Sequence, residues 1–244
     1  MNARLLVLFL LVLGSQTVWS QHNRLTKKER KQGWTLLFDG KSGKGWKGAF
    51  LDSFPAKGWE IKDGTLMVQP SGGAESTNGG DIVTTGLYSD FELMVDFKLT
   101  EGANSGIKYF VDPAQPKPDN PRSALGLEFQ ILDDARHPDA KMGREGNRTL
   151  SSLYDLIAAP TNKPVHPIGE WNTARIVSKG RHVEHWLNGT KVLEYERGSE
   201  TFKELIQKSK YKPIPGFGLG HEGRILLQDH GDRVYFRNIK LRKL

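Results

Sequence analysis

No cysteine occurs among the 244 residues, which excludes disulfide frameworks, thiolate metal sites and cysteine nucleophiles together. No apolar run approaches the roughly 20 residues needed to cross a bilayer, the longest being the nine of Leu5–Leu13. Gly-x-Ser-x-Gly, His-Glu-x-x-His and the calcium-loop pattern are also missing, so serine-hydrolase, zincin and EF-hand chemistry have no sequence support. The net charge of +7 lacks the company that nucleic-acid binding requires. Part of the excess sits near the two ends, at Lys27, Lys28, Arg30 and Lys31 and at Lys240, Arg242 and Lys243, with no zinc-finger spacing, recognition helix or RNP-like strand. No nucleic-acid partner is expected, and the oligomeric state is not written in the pattern.

What is present begins with a leader. Arg4, the apolar run and the small-x-small pattern of Val18, Trp19 and Ser20 read as a secretory signal over residues 1–20, with a secreted or bacterial periplasmic destination. Residues 21–32 form a short helical extension, Thr26 and Glu29 making a capping box and Gly33 a stop. Thr201 and Glu204 suggest a second box opening a short helix before Pro213.

Residues 33–244 otherwise read as strands and turns in one domain. Asp63-Gly64 joins 59–62 to 65–68 as a hairpin, and Asn188-Gly189 joins 182–187 to 190–195. Lys179-Gly180 supplies a further turn. Alternating runs also cover 91–99, 106–111, 125–132, 172–178, 224–228 and 234–241. Many short antiparallel segments without βαβ spacing predict an all-β, two-sheet sandwich with short peripheral helices. Two polar Gly/Pro-rich loops, 71–80 and 113–123, are long enough to shape a binding rim.

Strand phase selects the candidate site. Leu127, Phe129 and Ile131 share one face of their strand, whereas Gly126, Glu128 and Gln130 share the other. A roofed, concave polar face would raise the Glu128 pKa and suit it to acid–base work; an open one would leave an ordinary surface acid. Arg224, Leu226, Gln228 and His230 alternate with Ile225, Leu227 and Asp229, and His185 shares a side with Val183 and Leu187. His185 reads either as a catalytic group or as a neutral, hydrogen-bonded sheet residue, and His230 either as catalytic or as a turn residue beside Gly231. Asp133, Asp134 and His137 offer hard-cation ligands in one loop, although loop capping suits the two aspartates better.

Several blocks resemble one family in order and spacing: GWTLLFDG at 33–40, Trp46, NSGI at 104–107, GLEFQILDD at 126–134, GEWN at 169–172, HWLNG at 185–189, ILLQDHG at 225–231 and VYFRNI at 234–239. They are similar to the domain of unknown function 1080 family, also called the 3-keto-disaccharide hydrolase domain. The resemblance spans effectively everything after residue 32. It implies a secreted bacterial protein, a concanavalin A-like or laminin G-like jelly roll, and action on a glycoside or 3-keto-glycoside substrate. Lys108 departs from the family pattern by bringing the strand's charge forward, onto the polar face with Gly106, where it meets either a substrate oxygen or Glu128.

Oxidation at C3 of a glycoside acidifies the C2 proton, so a base there allows elimination of the C1 substituent, followed by water addition. Glu128 is the expected base, with His185 or His230 delivering a proton or contacting the enolate. Lys108, Gln130, Gln228 and Arg237 are expected to orient the sugar, Arg237 alternatively binding a sheet-edge carboxylate. Trp46 or Trp59 could stack on a sugar at the rim, most tryptophans being core. No cofactor is required by this scheme, though a divalent cation can replace some donors as a Lewis acid. Two readings from other classes stand beside it: an ordinary glycosidase pairing Glu128 with Asp133 or Asp229, and a carbohydrate-binding module without turnover.

Overall fold

The computed structural model describes residues 22–117 and 120–244; the expected leader at 1–20 lies outside the described residues. In chain order the strands are β1 (Thr35–Leu36), β2 (Trp46–Gly48), β3 (Trp59–Lys62), β4 (Thr65–Val68), β5 (Ile82–Thr84), β6 (Phe91–Leu99), β7 (Asn104–Val111) and β8 (Pro116–Lys117). They continue with β9 (Asn120–Ala124), β10 (Leu127–Leu132), β11 (Trp171–Lys179), β12 (His182–Leu187), β13 (Thr190–Glu196), β14 (Arg224–Leu227) and β15 (Val234–Lys243). Two antiparallel sheets pack as a sandwich. The larger runs β13-β12-β11-β6-β15-β4-β3, with β1 on β15, and the smaller runs β10-β7-β14-β5-β2. A two-stranded ribbon, β8-β9, occupies part of the predicted 113–123 loop.

Local chemistry explains the turns. Asp63 and Gly64 hold φ of 51° and 72°, both positive as a type I′ turn demands, and register Trp59 against Val68. Asn188 and Gly189 repeat this at 48° and 82°, and the Asn188 Oδ1 also accepts the Thr173 N–H at 2.8 Å. The first helix, α1 (Lys27–Lys31), carries the expected reciprocal capping box of Thr26 and Glu29. The second, α2 (Glu200–Gln207), starts earlier than the Thr201 box suggests: Ser199 is the cap, its Oγ accepting from the Phe202 N–H at 3.1 Å. Gly198, at φ 71°, turns the chain out of β13 and leaves Ser199 as the first hydroxyl in extended geometry. Strands β1, β2 and β5 are too short to show a period, which is why sequence patterning passes over them.

The core lies between the sheets. Phe91, Leu93, Val95, Phe97 and Leu99 of β6 face Ile107 and Tyr109 of β7 and Leu127, Phe129 and Ile131 of β10, all buried. Each such side chain contributes about 1.5–3 kcal/mol when removed from water. At Phe110 the backbone takes φ 54°, so Tyr109 and Phe110 both join this core and Val111 returns to the other face beside Leu226. In the larger sheet, β11 and β12 alternate buried with half-buried positions, as a one-sided strand should. In the smaller sheet, β7 and β10 are buried at every position. Their polar outward side chains are therefore roofed, not solvated.

Candidate functional site

Antiparallel register sets the floor. Glu128 of β10 pairs with Lys108 of β7, and Gln130 pairs with Gly106. Asn104 projects from β7 on the same face, and Gln228 follows directly after β14. Three excursions supply the roof. Residues 151–154 bond along the free edge of β10, with Ser151 N–H to Gln130 O at 2.8 Å and Tyr154 N–H to Glu128 O at 3.1 Å, which brings Tyr154 over Glu128. The segment after α2 brings Lys210 and Tyr211, the latter stacked on Phe217 at 3.8 Å between centroids. Loop 71–80 brings Glu75. Asp229 staples that loop by accepting the N–H groups of Gly79 at 3.0 Å and Gly80 at 2.9 Å, while the Ser76 N–H bonds Asp229 O at 2.7 Å. These walls line a polar hollow of about 70 Å³.

The carboxyl of Glu128, 5% exposed, is held in a gap that only glycine leaves open: a Cβ on Gly106 would sit 2.1 Å from its Oε1. Burial pushes its pKa up to about 7 against the opposing pull of Lys108 and Lys210. Turned so that its NH2 meets acceptors, the Gln130 amide donates to Glu128 Oε1 at 3.3 Å and to Ser105 O at 3.0 Å. Lys108 donates to Ala124 O at 3.2 Å and lies 3.9 Å from both Glu75 and Asp81. Burial lowers the Lys108 pKa, but Glu128, Asp81 and Glu75 together more than offset it, so the ammonium stays charged. Asp81, buried beneath, is pushed up to about 6 by desolvation. Glu75 accepts from the Gln228 amide at 3.0 Å and from Ser123 Oγ at 2.8 Å. The Tyr211 phenol is raised well above its ordinary value, first by burial and then by Glu128, and stays protonated. Lys210 lies over the Tyr154 ring at 4.0 Å.

Five of the expected residues thus meet in one hollow: Glu128, Lys108, Gln130, Gln228 and His230. Three do not. His185 is fully buried between the sheets, its Nδ1–H donating to Ser151 O at 3.1 Å and its Nε2 accepting from Tyr109 Oη at 2.8 Å. Burial pushes its pKa down to about 4, so it is the neutral sheet histidine and has no route to a substrate. Trp46 is 3% exposed within the core and donates to Leu37 O at 2.6 Å; Trp59, 6% exposed, donates to Gly80 O at 2.8 Å. Neither can stack on a sugar at a rim. Arg237 lies on the outer face of the larger sheet, over Trp171 at 3.8 Å and 3.7 Å from Asp96, the sheet-carboxylate alternative. The paired-carboxylate alternatives also lose their partners: Asp133 is spent on the N–H groups of Gly102 and Ala135, and Asp229 on those of loop 71–80.

Sequence reasoning missed Glu75, Asn104, Tyr154, Lys210, Tyr211 and the spacer Gly106. The polar loop 71–80 pointed toward Glu75, and the glycine opposite a carboxylate-bearing strand pointed toward Gly106; nothing local marked the others. As for cations, Asp134 accepts from Lys163 at 2.8 Å and the Leu150 N–H at 2.6 Å, which makes it a loop brace. His137 groups instead with His230 and Asp232, one ligand atom of each lying within 4.8 Å of the others.

The family model described as "3-keto-alpha-glucoside-1,2-lyase-like domain" matches residues 33–242. A curated 3-keto-disaccharide hydrolase of Bacteroides thetaiotaomicron is 38% identical over 231 residues, covering 87% of this chain and 79% of the relative. A crystal structure of a candidate glycosyl hydrolase from Parabacteroides distasonis superposes with a TM-score of 0.78 at 34% identity, covering 92% of this chain and 100% of that one. A second from the same organism gives 0.56 at 28% identity, with 82% and 99% covered. The chain belongs to the 3-keto-α-glucoside-1,2-lyase-like domain family and is a carbohydrate-active enzyme.

Proposed function

We propose that this protein cleaves 3-keto-glycosides by elimination, with Glu128 as the base at C2. The observation that carries the reading is the roofed carboxyl of Glu128, which burial lifts to about 7 while Lys108 and Lys210 keep ionisation within reach. A base poised near neutrality combines a useful ionised fraction with real proton affinity. In the reaction Glu128 takes the C2 proton, the C–H electrons form the C2–C3 double bond, and negative charge develops on the C3 oxygen. The lysine ammoniums and the His230 side of the hollow face that charge in a site partly closed to water. The C1–O bond then breaks, and Tyr211, kept protonated, donates to the departing oxygen. Water addition to the unsaturated ketone completes net hydrolysis, the Tyr211 and Glu128 protons being exchanged with solvent. Asn104, Gln130 and Gln228 orient hydroxyls around the ring. Action in the periplasm or outside the cell fits the leader-like residues 1–20.

The test follows aglycone release from one glycoside and its 3-keto counterpart. Release confined to the oxidised substrate, with an unsaturated keto sugar trapped early, is the expected result. Equal release from the unoxidised glycoside would make the protein an ordinary hydrolase, and saturable binding without release would make it a binding module.

A further inference from the structure

We infer that His137, His230 and Asp232 form a binding site for one divalent transition-metal ion at the edge of the Glu128 hollow. The three donors come from two distant stretches of chain. His137 caps the 3₁₀ turn Pro138–Lys141 that follows β10, and His230 and Asp232 flank Gly231 in the β14–β15 connection. The rings of His137 and His230 meet edge to face at 5.8 Å between centroids, and the ligand atoms of all three residues lie within 4.8 Å of one another. Tetrahedral ligands at about 2.1 Å from a metal are roughly 3.4 Å apart, so rotation of the rings by about an ångström closes the set.

Three features point to a ligand there. The His230 Nδ1 is buried and bonds no partner, which is unfavourable unless something fills it. Asp232 is pinned through one carboxylate oxygen, Oδ2, which accepts the Asn104 N–H at 3.0 Å, and its other oxygen bonds no described residue. The connection itself is held stiffly, Asp229 accepting the Gly231 N–H at 3.0 Å as well as those of loop 71–80. Two imidazoles and one carboxylate suit zinc, cobalt, nickel or manganese better than calcium, which prefers six or more oxygens. His137 now accepts the Asp139 N–H on Nδ1 at 3.2 Å, a long bond that closes only the turn. Coordination through its Nε2 therefore requires the ring proton to move to Nδ1, which gives up that bond, or the ring to turn.

Three protein ligands leave coordination positions open. Because His230 lines the hollow, those positions adjoin the substrate space. Resting on the elimination reading, the exogenous ligand would be the ketone and neighbouring hydroxyl oxygens of the 3-keto sugar, a natural bidentate pair for a Lewis acid.

The experiment uses the tag-free chain, stripped with chelator and titrated with Co²⁺ while d–d absorption and calorimetric heat are followed. One equivalent per chain is expected, with weakening of at least tenfold in His137→Gln and in Asp232→Asn. The control His182→Gln, which breaks the exposed His182–Glu184–Glu194 group on the far sheet, should bind like the parent. Absence of a stoichiometric cobalt spectrum from the parent chain, or unchanged affinity in folded His137→Gln or Asp232→Asn, overturns the site. So does loss of binding only in His182→Gln. Metal uptake is read without turnover, so it can fail while Glu128-dependent elimination stands, or hold while elimination fails.

Discussion

Replacing Glu128 by Gln preserves shape and removes one buried acid, which makes stability and catalysis separately readable. The Glu128 pKa rises from 4.5 to about 7 on folding, so the folded protein retains a proton that the unfolded chain releases between those values. Its contribution to stability is complete below about 4.5 and is lost as pH climbs through about 7. The shift corresponds to about 3 kcal/mol as an upper bound. Asp81, lifted to about 6, gives a slope of the same sign in both proteins and largely cancels in the difference. Lys108 keeps Glu75 and Asp81 at 3.9 Å, so the variant does not strand its ammonium. In urea unfolding at pH 4.5 and pH 8, the stability gap between variant and parent should move by about 2–3 kcal/mol toward the variant at the higher pH. Turnover of a 3-keto-glycoside should fall by about 10²–10⁴-fold in the folded variant. Parallel pH–stability curves would refute the buried, proton-holding carboxyl; undiminished turnover would refute Glu128 as the base.

Lys108→Met removes the charge that most strongly counters the desolvation of Glu128, so the acid limb of kcat/KM, expected near pH 7, should move upward; a limb that stays put counts against this coupling. Gly106→Ala places a methyl 2.1 Å from the Glu128 Oε1, and we expect at least tenfold lower kcat with about 1–3 kcal/mol lost in denaturant unfolding, whereas near-parental kcat would show that the carboxyl needs no such gap. His185→Leu should destabilise by about 1–3 kcal/mol, because the buried Ser151 O loses its donor and the Tyr109–Tyr195 hydroxyl pair loses its terminal acceptor, while the folded fraction turns over within a few-fold of the parent. A collapse of kcat with intact stability would return His185 to the chemistry.

Period-two alternation is a property of one strand and its neighbour. It placed Glu128 and Gln130 opposite Leu127, Phe129 and Ile131, and the Asp63-Gly64 and Asn188-Gly189 turns followed from residues that tolerate positive φ. Blocks of sequence also carried the family and its sandwich fold. Alternation cannot say which face becomes core or whether the other is roofed, because both depend on segments far along the chain. His185 and His230 look equally available in sequence, yet the packing of one sheet on the other makes the first a neutral strut and the second a wall of the hollow. Trp46 was drawn inward by the same packing. Tyr154 reaches Glu128 only because residues 151–154 extend the edge of β10, and Glu75 only because Asp229 pins loop 71–80. The carboxyl is legible in one dimension; the desolvation that changes its proton affinity arises only when distant loops close over it.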